Sequence, residues 1–187
     1  GIALVWGVMN ILSFSQGEFM MVAMYITFFI NVALGWDPLA AMPLVIVIMF
    51  VLGLMIYRTI ITKALKGPVL GQRLVTFALG MVLCNGMILI AGGQTKSISQ
   101  KIIHGNIELG SVTISKEKMV LVVTSILVTA LLFWFMNRTK MGKAIRATSQ
   151  DKEAAGLVGI NTQTAYMIAF GISAAIAGAG GCAMTYY

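Results

Sequence analysis

Long apolar segments separated by polar loops constrain the fold of this chain more than any other feature. A helix needs about 20 residues to cross a bilayer and at least about 17, and the last four segments meet or approach that length. Only 10% of the residues are charged, whereas a soluble domain has about 25%. The pattern predicts an all-α fold, a polytopic transmembrane helical bundle forming one domain over residues 1–187. The segments are Gly1–Phe14, Phe19–Leu34, Ala40–Tyr57, Leu74–Ala91, Met119–Met136 and Thr164–Tyr187.

The first two segments are short, and a polar group at residues 15–18 separates them. Two short, interrupted apolar segments indicate a broken helix near the N-terminus, whose freed backbone can line a substrate cavity. Glu18 is the most informative residue here, because a carboxylate at membrane depth is costly and marks a pathway or a paired charge. Alternatively, Glu18 lies at the membrane interface and forms a capping box with Ser15 as N-cap. Both interpretations remain open at this stage.

Two further features of the apolar segments bear on packing. Asn85 lies in the middle of a predicted span and either hydrogen-bonds a neighbouring helix, which we favour, or lines a path. The last segment contains small residues four apart, such as Gly171 and Ala175, or Ala177 and Gly181. Such pairs let helix backbones approach closely, and we expect them to pack within the subunit. The candidate path residues are Ser13, Ser15, Gln16, Gly17, Glu18 and Asn85.

The distribution of lysine and arginine predicts the orientation. The loops at 58–73 and 137–163 lie on the same side of the membrane and hold nine basic residues, whereas the opposite loop at 92–118 holds four. The positive-inside rule therefore places the first two loops in the cytoplasm. In the opposite loop, Gly105 and Asn106 lie between β-prone runs and predict a small hairpin. Both chain ends lie in apolar sequence and no initiator Met is present, so we expect a fragment of a longer chain.

The polar loop at 137–163 reads as a short capped helix rather than a slack linker. Thr148 or Ser149 is the predicted N-cap, Asp151 and Glu153 lie in the first turn, and Gly159 closes the C-terminus. A capped helix held between two spans is suited to docking a partner. The sequence contains no phosphate-binding loop, no hydrolase or zinc-protease motif and no Cys/His cluster. These absences argue against an enzyme, and we predict no cofactor and no metal.

The run from Glu153 to Gly159, E-A-A-G-L-V-G, resembles the cytoplasmic loop motif of ABC importer permeases. The wider run from Gly142 to Asn161 is similar to that of the branched-chain amino acid permeases, a family that also includes urea and short-amide permeases. Residues 7–19 are a second match, although this chain has Ser13 and Gln16 where the family usually has Asn and His. Gly17 and Glu18 are kept, so we expect the broken-helix geometry to survive.

The resemblance implies a multi-pass inner-membrane permease subunit of a bacterial or archaeal ABC importer. In that family the loop forms a coupling helix that sits in a groove of the ATPase subunit. The implied partners are a second permease subunit, identical or homologous, two ATP-binding subunits and an extracytoplasmic binding protein. A self-sufficient channel or secondary transporter is the alternative, and a membrane enzyme is a weaker one. The residues implied in ATPase docking are Arg146, Asp151, Glu153, Ala154, Ala155 and Gly159.

Overall fold

The computed structural model describes residues 7, 15–65, 67–92, 106–109 and 112–185. Five of its helices are long and apolar enough to cross a membrane, so the chain is a multi-pass, α-helical membrane protein. Of the predicted broken helix, the first segment lies outside this description apart from helical Gly7, and the second lies within a helix that begins at Gln16. The elements are α1 (Gln16–Leu34), α2 (Pro38–Ile56), which continues through a π-helical turn (Tyr57–Ile61) and a last turn (Thr62–Ala64), α3 (Val69–Ala91), β1 (Asn106–Leu109), β2 (Val112–Ser115), α4 (Lys116–Arg138), α5 (Lys140–Gln150), α6 (Lys152–Leu157) and α7 (Thr162–Met184).

Helix α7 is the centre of the bundle, and its small residues explain why. A Cβ atom added at Gly171 would lie 2.9 Å from the Leu54 side chain, and one added at Gly181 would lie 2.7 Å from Cβ of Ala23. The approach is mutual, because a Cβ atom on Gly53 of α2 would lie 2.8 Å from Cβ of Ala174. Close approach of this kind lets dispersion forces hold helices together where lipid offers no hydrophobic drive. The prediction that these small residues pack within the subunit is confirmed.

Helices α1 and α7 run in the same direction, side by side. Gln16 hydrogen-bonds Ser173 near the start of α1, and Thr27 Oγ1 lies 3.0 Å from Cys182 Sγ further along both helices. Antiparallel α2 then returns along the other side of α7. The tight α1–α2 connection uses Gly35 in a left-handed conformation with φ of 66°, which glycine adopts without steric cost.

The loop between α3 and α4 contains the predicted hairpin, but its turn is displaced from the predicted position. Asn106 pairs with Ser115 and Leu109 pairs with Val112. Asn106 is therefore part of a strand, and the connection falls at residues 110–111, where Gly-Ser also has turn-forming character. The hairpin was predicted correctly and its turn at Gly105-Asn106 was wrong, because two turn-prone dipeptides compete within one short run.

A rigid corner joins α4 to α5. Thr139 caps α5, since its hydroxyl oxygen accepts a hydrogen bond from the Gly142 backbone N–H at 2.9 Å. Gly142 packs directly on the backbone of Phe135 and Met136, and its contact with the Phe135 carbonyl oxygen leaves no room for a Cβ atom. The direction of α5 is thus set by the last turn of α4.

Candidate functional site

A reciprocal polar contact ties the first turn of α1 to the middle of α7. Gln16 Nε2 donates to the backbone carbonyl of Ser173 at 3.1 Å, and Ser173 Oγ donates to Gln16 Oε1 at 3.2 Å. Ser173 is 1% exposed. Each polar atom of the Gln16 amide thus makes one hydrogen bond to α7, and this reciprocal pair holds the two helices together.

The contacts of the first turn of α1 place Glu18 in the middle of the bundle. Its carboxyl group lies against Gly80 of α3, and Gln16 lies against Ser173. Gly80 and Ser173 are each about 11 residues from the first residue of their helices, or about 16 Å at 1.5 Å per residue. Two contacts therefore put the first turn of α1 beside the middle of α3 and α7.

The capping box that was one alternative for Ser15 and Glu18 is not formed at the start of α1. Ser15 occupies the N-cap position, but its side chain makes no capping hydrogen bond, and its backbone at φ −84° and ψ 8° departs from the extended form usual at that position. Glu18 Oε2 is buried and has no hydrogen-bond partner in the part of the chain that the structure describes. A buried carboxylate oxygen without a partner is energetically costly.

Of the remaining path candidates, one lies outside the described residues and two are exposed. Ser13 lies outside the described residues. Gly17 is exposed, and a Cβ atom there would meet nothing within 4 Å. Asn85 is also exposed, and its Nδ2 donates to the Met81 carbonyl one turn earlier at 2.8 Å. The predicted hydrogen bond of Asn85 to a neighbouring helix is thus absent among the described residues.

The polar loop at 137–163 forms two helices rather than one. Asp151 has an extended backbone that ends α5, and its Oδ1 accepts hydrogen bonds from the Glu153 and Ala154 backbone N–H groups at 2.9 Å. Asp151 is therefore the N-cap of α6, and the predicted N-cap at Thr148 or Ser149 was wrong. A carboxylate that accepts two N–H groups at a positive helix end outcompetes a hydroxyl. Thr148 instead lies inside α5 and is buried.

The C-terminus of α6 ends in a Schellman motif at Gly159. Its backbone N–H donates to the Gly156 carbonyl at 3.1 Å, and the next N–H, of Ile160, donates to the Ala155 carbonyl at 3.0 Å. Gly159 has φ of 83°, a left-handed conformation that costs other residues about 1–2 kcal/mol. The predicted closure of the helix by Gly159 is confirmed.

Side-chain exposure separates the residues predicted for docking. Arg146, Asp151, Glu153, Ala154 and Gly159 are exposed, whereas Ala155 is only 3% exposed. An inward-facing Ala155 packs against its own chain, so a bulky residue there would disturb this protein before it could obstruct a partner. Arg146 Nη1 donates to Asn137 Oδ1 at 2.7 Å and thereby braces α5 against the end of α4.

Two exposed apolar residues in this region were not among the predicted docking residues. Leu157 is 89% exposed and Val158 is 76% exposed. They lie at the C-terminal end of α6, next to Gly159. Exposed apolar residues that cluster outside the lipid-facing surface mark interaction sites. An apolar pair inside an otherwise polar loop was the sequence signal for them.

Side chains of α7 contact α6 near one end of the helix and the first turn of α1 further along it. Lys152 Nζ lies 5.8 Å from the centroid of the Tyr166 ring, a cation–π geometry. Tyr166 is one turn before Phe170 on α7, and the Phe170 ring lies 5.9 Å from the ring of Phe19 at a T-shaped angle. Tyr57, in the π-helical turn of α2, lies 6.1 Å from Phe170 on the other side. Lys152 thus contacts Tyr166 on α7, and the Phe170 ring, one turn further along α7, contacts Phe19, the neighbour of Glu18.

The whole chain matches one protein family. Residues 1–187 match the family described as the permease component of the branched-chain amino acid transport system. The chain belongs to this family. No solved structure is significantly similar to it.

Curated relatives bear the same description. The chain is 27% identical to the high-affinity branched-chain amino acid transport system permease protein BraD of Pseudomonas aeruginosa, over 95% of this chain and 62% of that protein. It is 28% identical to the corresponding LivH of Escherichia coli K12, over 97% of this chain and 63% of that protein. A probable LivH of Methanocaldococcus jannaschii is 23% identical over 97% of this chain and 59% of that protein. The chain therefore spans about three fifths of the length of these relatives.

Proposed function

We propose that this chain is part of the membrane-spanning permease subunit of an ATP-driven importer, and that branched-chain amino acids pass Glu18 on their way through it. Membership of the family supports the transport role. The observation that carries the path assignment is Oε2 of Glu18, a buried carboxylate oxygen in the middle of the bundle that has no hydrogen-bond partner among the described residues. Intramembrane ionisable residues mark substrate or ion pathways by default.

A carboxylate at Glu18 is suited to an amino acid as the substrate. An amino acid carries an α-ammonium group, and a carboxylate in a low-dielectric site complements it with a charge-assisted hydrogen bond. The unpartnered Oε2 atom supplies an acceptor that the amine could use.

Helices α5 and α6 form the proposed docking surface for an ATPase subunit. They lie on the side with nine basic residues, which the positive-inside rule assigns to the cytoplasm. The fixed corner at Gly142 and the double cap at Asp151 make this surface rigid, so that a push on α6 is passed to the bundle instead of being absorbed locally. The contact of Lys152 with Tyr166 is the direct link to α7.

The proposed mechanism divides the work among several subunits. An extracytoplasmic binding protein delivers the substrate, two permease subunits in the inner membrane form the path, and two ATP-binding subunits close on ATP against α6. Hydrolysis belongs to those partners. A near-complete switch between outward and inward states needs a bias of about 5.5 kcal/mol, within reach of nucleotide-driven closure.

Transport by the permease carrying this chain tests the path assignment. The permease would be reconstituted in proteoliposomes with its ATPase and binding protein, and uptake of labelled leucine measured for the wild type, Glu18→Gln and the control Glu108→Gln in the hairpin. We expect Glu18→Gln to lower uptake at least tenfold, because the uncharged amide cannot form an ion pair with the ammonium group of the substrate. Glu108→Gln should transport normally.

The same assay separates the alternatives. Leucine uptake at the wild-type rate by Glu18→Gln would remove Glu18 from the path. Uptake of urea but not leucine would assign the protein to the amide branch. Uptake that persists without ATP and without the ATPase subunit would favour a channel or secondary transporter.

A further inference from the structure

The carboxyl group of Glu18 lies against Gly80 of α3, where the absence of a side chain leaves room for it. A Cβ atom placed on Gly80 of α3 would lie 3.2 Å from Cδ, 3.3 Å from Oε2 and 3.5 Å from Oε1 of Glu18. The whole carboxyl group therefore rests on the backbone of α3 at this position. Polarised Cα–H groups can make weak hydrogen bonds to oxygen in such contacts.

Glycine destabilises a helix interior, and at position 80 it makes room for the Glu18 carboxyl group. Glycine lowers helix stability by about 1 kcal/mol relative to alanine. Gly80 is buried in the middle of α3, whereas Gly86, on the same helix, would meet nothing within 4 Å if it carried a Cβ atom. Of these two glycines, only Gly80 has a neighbour that an alanine would displace.

We infer that Gly80 is a positioning residue for Glu18: its missing side chain seats the carboxylate against α3 and fixes where its unpartnered oxygen points. The inference rests on the proposed function, since it assigns to Gly80 the placement of the group that the substrate meets. Glu18 acts directly on the substrate, and Gly80 acts only through Glu18.

The distances indicate what alanine at position 80 would do. Contacts of 3.2 and 3.3 Å to a new Cβ atom require the neighbour to move by a few tenths of an ångström. The atom that moves is the end of a flexible side chain, so the helices can stay in place while the carboxylate shifts. Binding groups must be held within about 0.5 Å of their productive position, and a shift of a few tenths of an ångström takes up much of that tolerance.

The test combines a control with a compensating change. Four variants of the reconstituted permease are compared with the wild type in leucine uptake: Gly80→Ala, the control Gly86→Ala, Glu18→Asp, and the double variant Gly80→Ala with Glu18→Asp. We expect Gly80→Ala to raise the KM for uptake about three- to tenfold, and Gly86→Ala to leave it within twofold. Aspartate is one methylene shorter and leaves room for the alanine Cβ atom. The KM of the double variant should therefore rise by less than the product of the two single increases.

Three results would overturn the inference. They are normal uptake kinetics in Gly80→Ala, an equal loss in Gly86→Ala, and a double variant whose defect is the product of the single defects. A purely structural role for Gly80 would lower the amount of folded permease in all Gly80→Ala backgrounds without rescue by Glu18→Asp.

A second measurement separates this inference from the proposed function. The same four variants are compared by thermal unfolding of the purified permease. If neither the wild type nor any variant transports leucine, the proposed substrate is refuted. Thermal unfolding still tests the steric contact between Gly80 and Glu18 in that case. Melting temperatures that are non-additive between positions 18 and 80 support the contact, and additive ones refute it.

Discussion

The exposed apolar pair on α6 leads to the most direct test of ATPase docking. Leu157 is 89% exposed and Val158 is 76% exposed, so nearly all of the Leu157 side chain is available for burial in a groove. Fully burying a leucine contributes about 1.5–3 kcal/mol. We therefore expect Leu157→Asn to cost about 2 kcal/mol of binding free energy, which is roughly thirty-fold in Kd at 1.4 kcal/mol per factor of ten.

The assay is binding of the purified ATPase subunit to the permease in nanodiscs, measured with and without ATP. Leu157→Met is the matched control, because it keeps an apolar side chain of similar volume and such exchanges usually cost less than about 1.5 kcal/mol. Neither change should alter the folded amount, since the side chain makes little contact with its own chain. ATPase affinity unchanged in Leu157→Asn, or weakened equally by Leu157→Met, would refute this account of the docking surface.

Further expectations concern the corner, the orientation and the buried alanine. Gly142→Ala should destabilise the permease by about 1–3 kcal/mol, because its Cβ atom would meet the Phe135 carbonyl oxygen, whereas Gly156→Ala, where a Cβ atom meets nothing within 4 Å, should not; thermal unfolding of both variants decides. A cysteine placed at Lys152 should react with a membrane-impermeant maleimide only from the cytoplasmic side, and one at Glu108 only from outside; the reverse pattern would invert the topology. Ala155→Trp should reduce the amount of folded protein as seen by size-exclusion chromatography, because Ala155 is 3% exposed; a folded variant that selectively loses the ATPase would instead restore Ala155 to the docking surface.

Membrane insertion and the approximate course of the helices could be predicted from the sequence alone. A chain with 10% charged residues has too few polar groups to solvate a surface, and a run of apolar residues in lipid must satisfy its backbone within a helix. The small residues of α7 and the turn at Gly159 were also local signals. Each depends on a property of one residue and its near neighbours, such as the absence of a Cβ atom, which is already present in the sequence.

The tertiary structure decided which residues meet. The sequence left Glu18 either at the interface or in the interior, and only the contacts of α1 with Gly80 and Ser173 show that it lies beside the middle of α3 and α7. Likewise, Ala154 and Ala155 are adjacent residues of the same type, yet Ala154 is exposed and Ala155 is buried. The partners of Glu18 and Gln16 lie about 60 to 160 positions away in the chain, and closing loops of that length leaves no local pattern from which these contacts could be read.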